Sequence, residues 1–365
     1  MKKPFSHEKL KEDILQKIRN GELKSGDRIF SISELSKKYK ISTKSVIKAV
    51  EELKANKILF THQGKGTFVN KTKNSSRSFN NKSIGVITPD LLISFHTEIV
   101  VAIEKEAYQK GYYVTVGNVA QDFEKEESYM KDFVNQHFAG AIVITGMNSP
   151  SNKYFSEFTK QIPTVIVDIA INGVKTDFVT TDDVSGAYDA VCYLINLGHR
   201  RIAFIGGPAG VSTAQQRLEG YKKALIEHNI PINHNLINST DFNEESGYRV
   251  MLEFLKMKQR PTAVFAVSDL SALSAIRAIN ACGLKTPEDI SVVGYGDLRM
   301  ISDIPLTSVR QPAYQMGKIA IRSLLEKIEG KRDLMEIKEV ILPTKLIVRK
   351  STSRCNLSEP VLLNV

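Results

Sequence analysis

Cysteine is scarce in this 365-residue chain, and the three that occur, Cys192, Cys282 and Cys355, lie far apart and form no CxxC pair. That spacing gives no disulfide framework and no zinc site. Long apolar runs are missing too: stretches such as SVVGY at 291–295 have the length of strands and fall well short of a membrane span. The opening residues, MKKPFSHEKLKEDILQ, hold lysines but no apolar segment of the kind a signal peptide needs, so a cytoplasmic location is expected. Catalytic signatures are equally absent. There is no HExxH and no GxSxG, and GGPAG at 206–210 follows a strand-like run without the GxGxxG spacing of a nucleotide loop. An enzyme is not expected, and no cofactor is implied.

What the chain does have is an uneven distribution of charge. Its net charge is +10, yet residues 1–80 hold 19 Lys and Arg against 8 Asp and Glu, while residues 81–365 hold 31 against 32. A neutral body with a small, strongly basic head suits a polyanion-binding module attached to something else.

The head reads as three helices and a hairpin. In residues 10–23, Leu10, Ile14 and Ile18 recur at helical spacing. Residues 31–40 place Ile32, Leu35 and Tyr39 on one face behind a cap at Ser31 or Ser33. Residues 42–57 place Val46, Ala49, Val50 and Leu53 on an apolar stripe behind Ser42, a good N-cap. Two helices joined by a three- or four-residue turn make a helix-turn-helix. Next comes ILFTHQGKGTFVN (58–70), two β-prone runs around HQGKG. A phosphate-cradling loop would need GxxxxGK[ST] opening a helix, whereas Thr-Phe-Val follows here, so the glycines turn a hairpin and put Lys65 at its tip. Residues 70–82 are polar and read as a linker.

From Ser83 onward the pattern alternates between strand and helix. β-Branched runs at 83–90, 111–118, 139–146, 164–169, 200–207, 261–269 and 290–297 are separated by helix-length stretches. Such alternation predicts parallel sheets covered on both faces, here in two lobes, with ligands bound beyond the C-terminal ends of the strands.

Residues 23–69 resemble the GntR-family winged helix-turn-helix over its whole length. The body resembles the effector domain of LacI-family repressors, which has the fold of a periplasmic sugar-binding protein. TTDDVSGAYDAVCYLINLGHRRIAFIGGP (180–208), QRLEGYKKAL (216–225), AVSDLSALSAIRA (266–278), PEDISVVGYGDL (287–298) and LTSVRQP (306–312) all stand in family order. The combination is that of arabinose-type repressors. The expected fold is therefore α/β: a winged helix-turn-helix at 1–70, a linker at 71–82, a two-lobed periplasmic-binding-protein-like domain at 83–350 with parallel sheets, and a tail at 351–365. The resemblance implies a homodimeric transcriptional regulator of carbohydrate use. It would bind double-stranded operator DNA and be released by a small sugar, arabinose or another monosaccharide, with no membrane partner.

Departures from the family accompany the matches. Positions where the family reads DNA with arginine hold Ser33, Thr43 and Ile47, and the usual Pro-Ser-Glu is Phe30-Ser31-Ile32. Bidentate readout of guanine by arginine is thereby lost. The remaining DNA-binding candidates are Ser33, Ser42, Thr43, Lys44, Ser45, Lys48, Lys65 and Gly66, with Lys37, Lys38 and Lys40 available to phosphates. For the effector the resemblance implies Arg217 with Asp269 as the principal pair, joined by Phe95, His96, Asp168, Phe242 and Gln311. The family's Gly-Tyr-Asp-Asp is here Gly294-Tyr295-Gly296-Asp297, one carboxylate fewer. A sugar-binding transport component, a corepressor-dependent regulator, a sugar binder with an impaired DNA-binding head and an enzyme are the competing readings. The basic head and the missing signal segment favour a DNA-binding regulator over the transport component, and the lack of a catalytic constellation favours it over the enzyme.

Overall fold

The computed structural model describes residues 7–19, 22–24, 26–55, 58–62, 65–70, 82–120, 122–146, 152–239, 244–298, 305–333 and 336–355. It divides into two compact units, Met1–Asn81 and Lys82–Val365. Most of the expected linker lies outside the described residues.

The first unit contains α1 (His7–Arg19), α2 (Ile32–Tyr39), α3 (Thr43–Ala55), β1 (Leu59–His62) and β2 (Gly66–Val69). Local chemistry sets the helix starts. Ser31 Oγ accepts from Glu34 N at 3.3 Å while the Glu34 carboxylate accepts from Ser31 N at 2.7 Å, a reciprocal cap that selects Ser31 over Ser33. Ser42 Oγ accepts from Ser45 N at 3.1 Å and so starts α3. Val46, Ala49, Val50 and Leu53 are buried against Leu10, Ile14, Leu35 and Leu59, as their spacing requires. Ile32 is the exception: it stands 40% exposed and does not join Leu35 in the core. Lys17 Nζ, 2.7 Å from Asp13 Oδ2 and 2.9 Å from Tyr39 Oη, ties α1 to α2.

β1 and β2 pair antiparallel from Leu59 opposite Val69 to His62 opposite Gly66, as a hairpin requires, and Lys65 N donates to His62 O at 2.9 Å. Ile29 N donates to Thr67 O at 2.9 Å and Val69 N to Asp27 O at 2.8 Å, which adds the segment before α2 to the hairpin. Gly66 has φ +117°, a conformation that favours glycine.

The second unit consists of two lobes, each built on a six-stranded sheet. The first lobe begins β3 (Ser83–Thr88), α4 (Ser94–Gln109), β4 (Tyr113–Asn118), α5 (Phe123–Asn135), β5 (Gly140–Ile144), α6 (Asn152–Gln161), β6 (Thr164–Val167) and β7 (Asp177–Thr181). The chain then builds the second lobe with α7 (Asp183–Asn196), β8 (Ile202–Ile205), α8 (Ser212–Glu227), β9 (Ile237–Asn238), α9 (Glu244–Leu255), β10 (Ala263–Ala266), α10 (Asp269–Ala281), β11 (Ser291–Gly296) and β12 (Thr307–Arg310). It returns to the first lobe for α11 (Ala313–Ile328) and β13 (Glu339–Leu342), then ends in the second with β14 (Lys345–Ile347). The sheet orders are β13-β7-β6-β5-β3-β4 and β14-β12-β11-β10-β8-β9, parallel throughout except for the edge strand β14. Alternate residues of one strand feed opposite cores: Phe204 lies in one and Ala203 and Ile205 in the other, which is why these strands read as unbroken apolar runs.

Past Lys350 the chain does not behave as a tail. Ser351 Oγ donates to Val292 O at 2.6 Å and accepts from Thr307 N at 2.8 Å, and Cys355 N donates to Leu197 O at 2.8 Å. The second lobe thus continues through Cys355, and residues 356–365 lie outside the described residues. No helix among the described residues is long and apolar enough to cross a membrane.

Candidate functional site

On the head, the inward stripe of α3 fixes which residues face out. Thr43, Lys44, Ile47 and Lys48 are exposed on one side of its first two turns. Ser42 and Ser45 are engaged at the helix start, their hydroxyls 2.9 Å apart. Ser33 stands in the first turn of α2, its hydroxyl 3.1 Å from that of Ser31. Lys65 is exposed at the hairpin tip with Gly66 beside it. Lys38 lies over the exposed Phe30 ring, 4.3 Å from its centroid, while Lys37 and Lys40 are exposed.

In the body, a cavity of about 530 Å³ opens between the two lobes. Ser94, Phe95 and Glu98 of α4 line it from the first lobe, and Asp269, Asp297 and Leu298 from the second, with Gln311 at the crossover between them. Asp269 opens α10, but Ser268 caps that helix by accepting from Ser271 N at 3.2 Å. The Asp269 carboxylate is therefore left to accept from Leu298 N at 2.7 Å and Ser308 Oγ at 2.6 Å. Burial pushes its pKa up to about 6 against those two hydrogen bonds.

A second polar cluster surrounds Arg217. Its Nε donates to Asp183 Oδ1 at 2.8 Å and its Nη1 to Val267 O at 2.7 Å, and its guanidinium lies 3.8 Å from the centre of the Tyr295 ring. Arg217 and Asp269 are thus held by different partners, and Arg217 makes its buried ion pair with Asp183. Asp168, at the end of β6 with φ +84°, has Oδ1 buried without a hydrogen-bond partner. Burial pushes its carboxyl up to about 7; Arg217 opposes this, Asp183 adds to it, and a hydrogen bond from Gln311 opposes it. Gln311 also donates from Nε2 to Thr181 Oγ1 at 3.1 Å.

The structure therefore brings Asp168, Arg217 and Gln311 into one cluster and Phe95, Asp269 and Gln311 to one cavity. His96 goes elsewhere. Its Nδ1 is 2.8 Å from Asp90 O, and burial holds its pKa below the usual imidazole value. Phe242 lies outside the described residues.

Sequence reasoning missed the residues that hold the candidates. Asp183 stands in TTDD, already within the family motif, and its role shows only when α8 packs on α7. Asp297 lies between Arg310 Nε and Arg349 Nη2, each 2.5 Å from it, and all three line the cavity. Gly296, the position of the missing carboxylate, has φ +126°, a conformation that favours glycine, and a side chain there would start within 4 Å of Asp269 Oδ2. Among the described residues no group of three or more His, Cys, Asp and Glu is placed to hold a metal ion.

Comparison with known proteins bears on both units. The family described as bacterial regulatory proteins, gntR family, matches residues 6–69, and the periplasmic binding protein-like domain matches residues 191–352. The HTH-type transcriptional repressor PurR of Klebsiella pneumoniae subsp. pneumoniae is 34% identical over 275 residues, 74% of this chain and 80% of that protein. The transcriptional regulator CelR in complex with cellobiose matches with a TM-score of 0.67 at 26% identity, over 92% of this chain and 94% of that one. A LacI-family transcriptional regulator from Enterococcus faecium with bound ribose matches with a TM-score of 0.66 at 28% identity, over 75% of this chain and 100% of that one. With an effector body of this kind behind a gntR-type helix-turn-helix, the chain belongs to the PurR/LacI family of transcriptional repressors.

Proposed function

We propose that this repressor binds its operator as a homodimer and that a small carbohydrate, bound between the lobes, releases it. The observation that carries the reading is the lobe-spanning cavity, lined by carboxylates, guanidinium groups, an amide and the Phe95 ring, with the unpartnered Asp168 Oδ1 in the polar cluster beside it. A sugar hydroxyl both donates and accepts, so it can satisfy Asp168 and Asp269 while accepting from Arg217 or Gln311. Its apolar ring face can lie on Phe95. The cellobiose and ribose complexes of similar proteins support the ligand class. Arabinose is among the candidates because the domain arrangement is that of arabinose-type repressors.

In this reading, Lys44, Lys48 and Lys65 neutralise phosphates, while Ser33, Ser42, Thr43, Ser45 and the Gly66 backbone position the head. A ligand that favours one lobe arrangement changes the spacing of the two heads through the dimer, and release follows from that differential affinity. The protein acts as a binder, and a bound sugar leaves unchanged.

The test is fluorescence anisotropy of a labelled duplex from upstream of the protein's own gene, at one salt concentration, with a panel of pentoses, hexoses and sugar phosphates. Saturable binding reversed by one sugar is expected. Binding that a sugar strengthens would make the ligand a corepressor, and binding that no sugar alters would overturn the carbohydrate assignment.

A further inference from the structure

Ile47 does not fit the ordinary logic of its helix. α3 buries Val46, Ala49, Val50 and Leu53, and the opposite side of such a helix is normally polar. Ile47 nevertheless stands 39% exposed there, with Thr43, Lys44 and Lys48. A single exposed apolar side chain is common on protein surfaces and means little by itself. The neighbours of this one change its meaning. Two lysines flank it on the same side of the helix, so the surface around it complements a polyanion.

The N-terminal part of the second helix in a helix-turn-helix is the part that reaches base edges in the major groove. Residues 42–48 read Ser-Thr-Lys-Ser-Val-Ile-Lys and include no Arg, Asn, Gln, Asp or Glu. Bidentate reading of guanine by arginine, bidentate reading of adenine by an amide and acceptance from cytosine by a carboxylate are therefore all missing from this stretch. An isoleucine offers only apolar surface. The apolar group that a base pair presents in the major groove is the C5-methyl of thymine.

We infer that Ile47 reads thymine through its 5-methyl group, so that each operator half-site carries a required T facing the N-terminal half of α3. This rests on the DNA-binding reading of the head and adds a base identity to it. The lysines supply attraction to the polyanion, and Ile47 supplies discrimination at its own position by excluding water from a methyl group.

The experiment starts by selecting duplexes from a random-sequence library with the full-length protein. Each thymine of the selected site is then replaced by deoxyuridine, which removes only the methyl, and affinities are measured at fixed salt. At one thymine per half-site, uracil should weaken binding about fourfold, the worth of one buried methyl. Ile47→Ala should bind the thymine and uracil duplexes alike, and Ile47→Arg should move the preference at that position to guanine. Sites in which no uracil weakens binding, or an Ile47→Ala variant that still prefers thymine, would overturn the inference alone. Failure of the library to yield any bound sequence would overturn the DNA-binding reading and the inference with it.

Discussion

The head and the body carry polar side chains in opposite states. On the head, Lys44, Lys48 and Lys65 stand in solvent, where a cation costs nothing to maintain and gains most of its value when a polyanion arrives. In the body, Arg217 and Asp269 are almost fully buried and already hydrogen-bonded to Asp183, Val267, Ser308 and Leu298. A ligand at the body's cluster would join or exchange existing bonds. Salt should govern the head and pH the body.

The sharpest way to break that contrast is Arg217→Ala. Removing the guanidinium leaves Asp183 buried without its counter-charge, at a cost of about 3–5 kcal/mol. A large fall in the melting temperature and loss of the sugar response are expected, with operator binding retained at low temperature. An unaltered melting curve would show that the pair is not held as described.

Asp168→Asn has a smaller effect and sharpens the body's side of the comparison. The folded carboxyl keeps its proton to about pH 7, whereas in the unfolded chain it loses it in the ordinary carboxylate range. Its buried charge therefore costs nothing below that range and costs most above about pH 7, so wild-type stability falls as pH climbs between the two. Asp168→Asn should melt like the wild type at pH 4 and be more stable at pH 8 by about 1–3 kcal/mol. Sugar hydroxyls donate best to the ionised carboxylate, so wild-type sugar affinity should fall as pH drops below 7, by at most about tenfold per unit. A flat affinity profile would remove Asp168 from the ligand's contacts.

Lys44→Ala should have the smallest effect. The salt dependence of operator binding should lose about one unit of slope, while the melting temperature and sugar affinity stay the same. An unchanged slope would take Lys44 off the DNA backbone.

The same contrast explains what could be read in the sequence. The stripe Val46, Ala49, Val50 and Leu53 and the caps at Ser31 and Ser42 are local patterns, and the fold follows them. The seven apolar strand runs were equally plain. β7, β9, β12, β13 and β14 lie outside those runs, and pairing that joins distant stretches builds them into the sheets, as when β13 sets Glu339 opposite Phe178. Ile32 was misplaced because spacing alone does not say how wide the buried stripe is. The site divides in the same way. Motif order marked Arg217, Asp269 and Gln311, but the partner of Arg217 lies 34 residues away in sequence, and the Asp297–Arg310–Arg349 cluster assembles only when β12 lies beside β11 and the chain past β14 closes over it.

The chain passes between the lobes three times, at 182, 311–312 and 343–344. Three connectors of this kind act like the leaves of a door hinge. Swinging about their common line is easy, while sliding or twisting would strain more than one at once. Gln311 lies in one leaf, donates to Thr181 at the edge of another and lies beside the carboxyl of Asp168. A molecule that takes hold of Asp168 is therefore pushing close to the pin, where a small displacement swings the far ends of both lobes through a large arc.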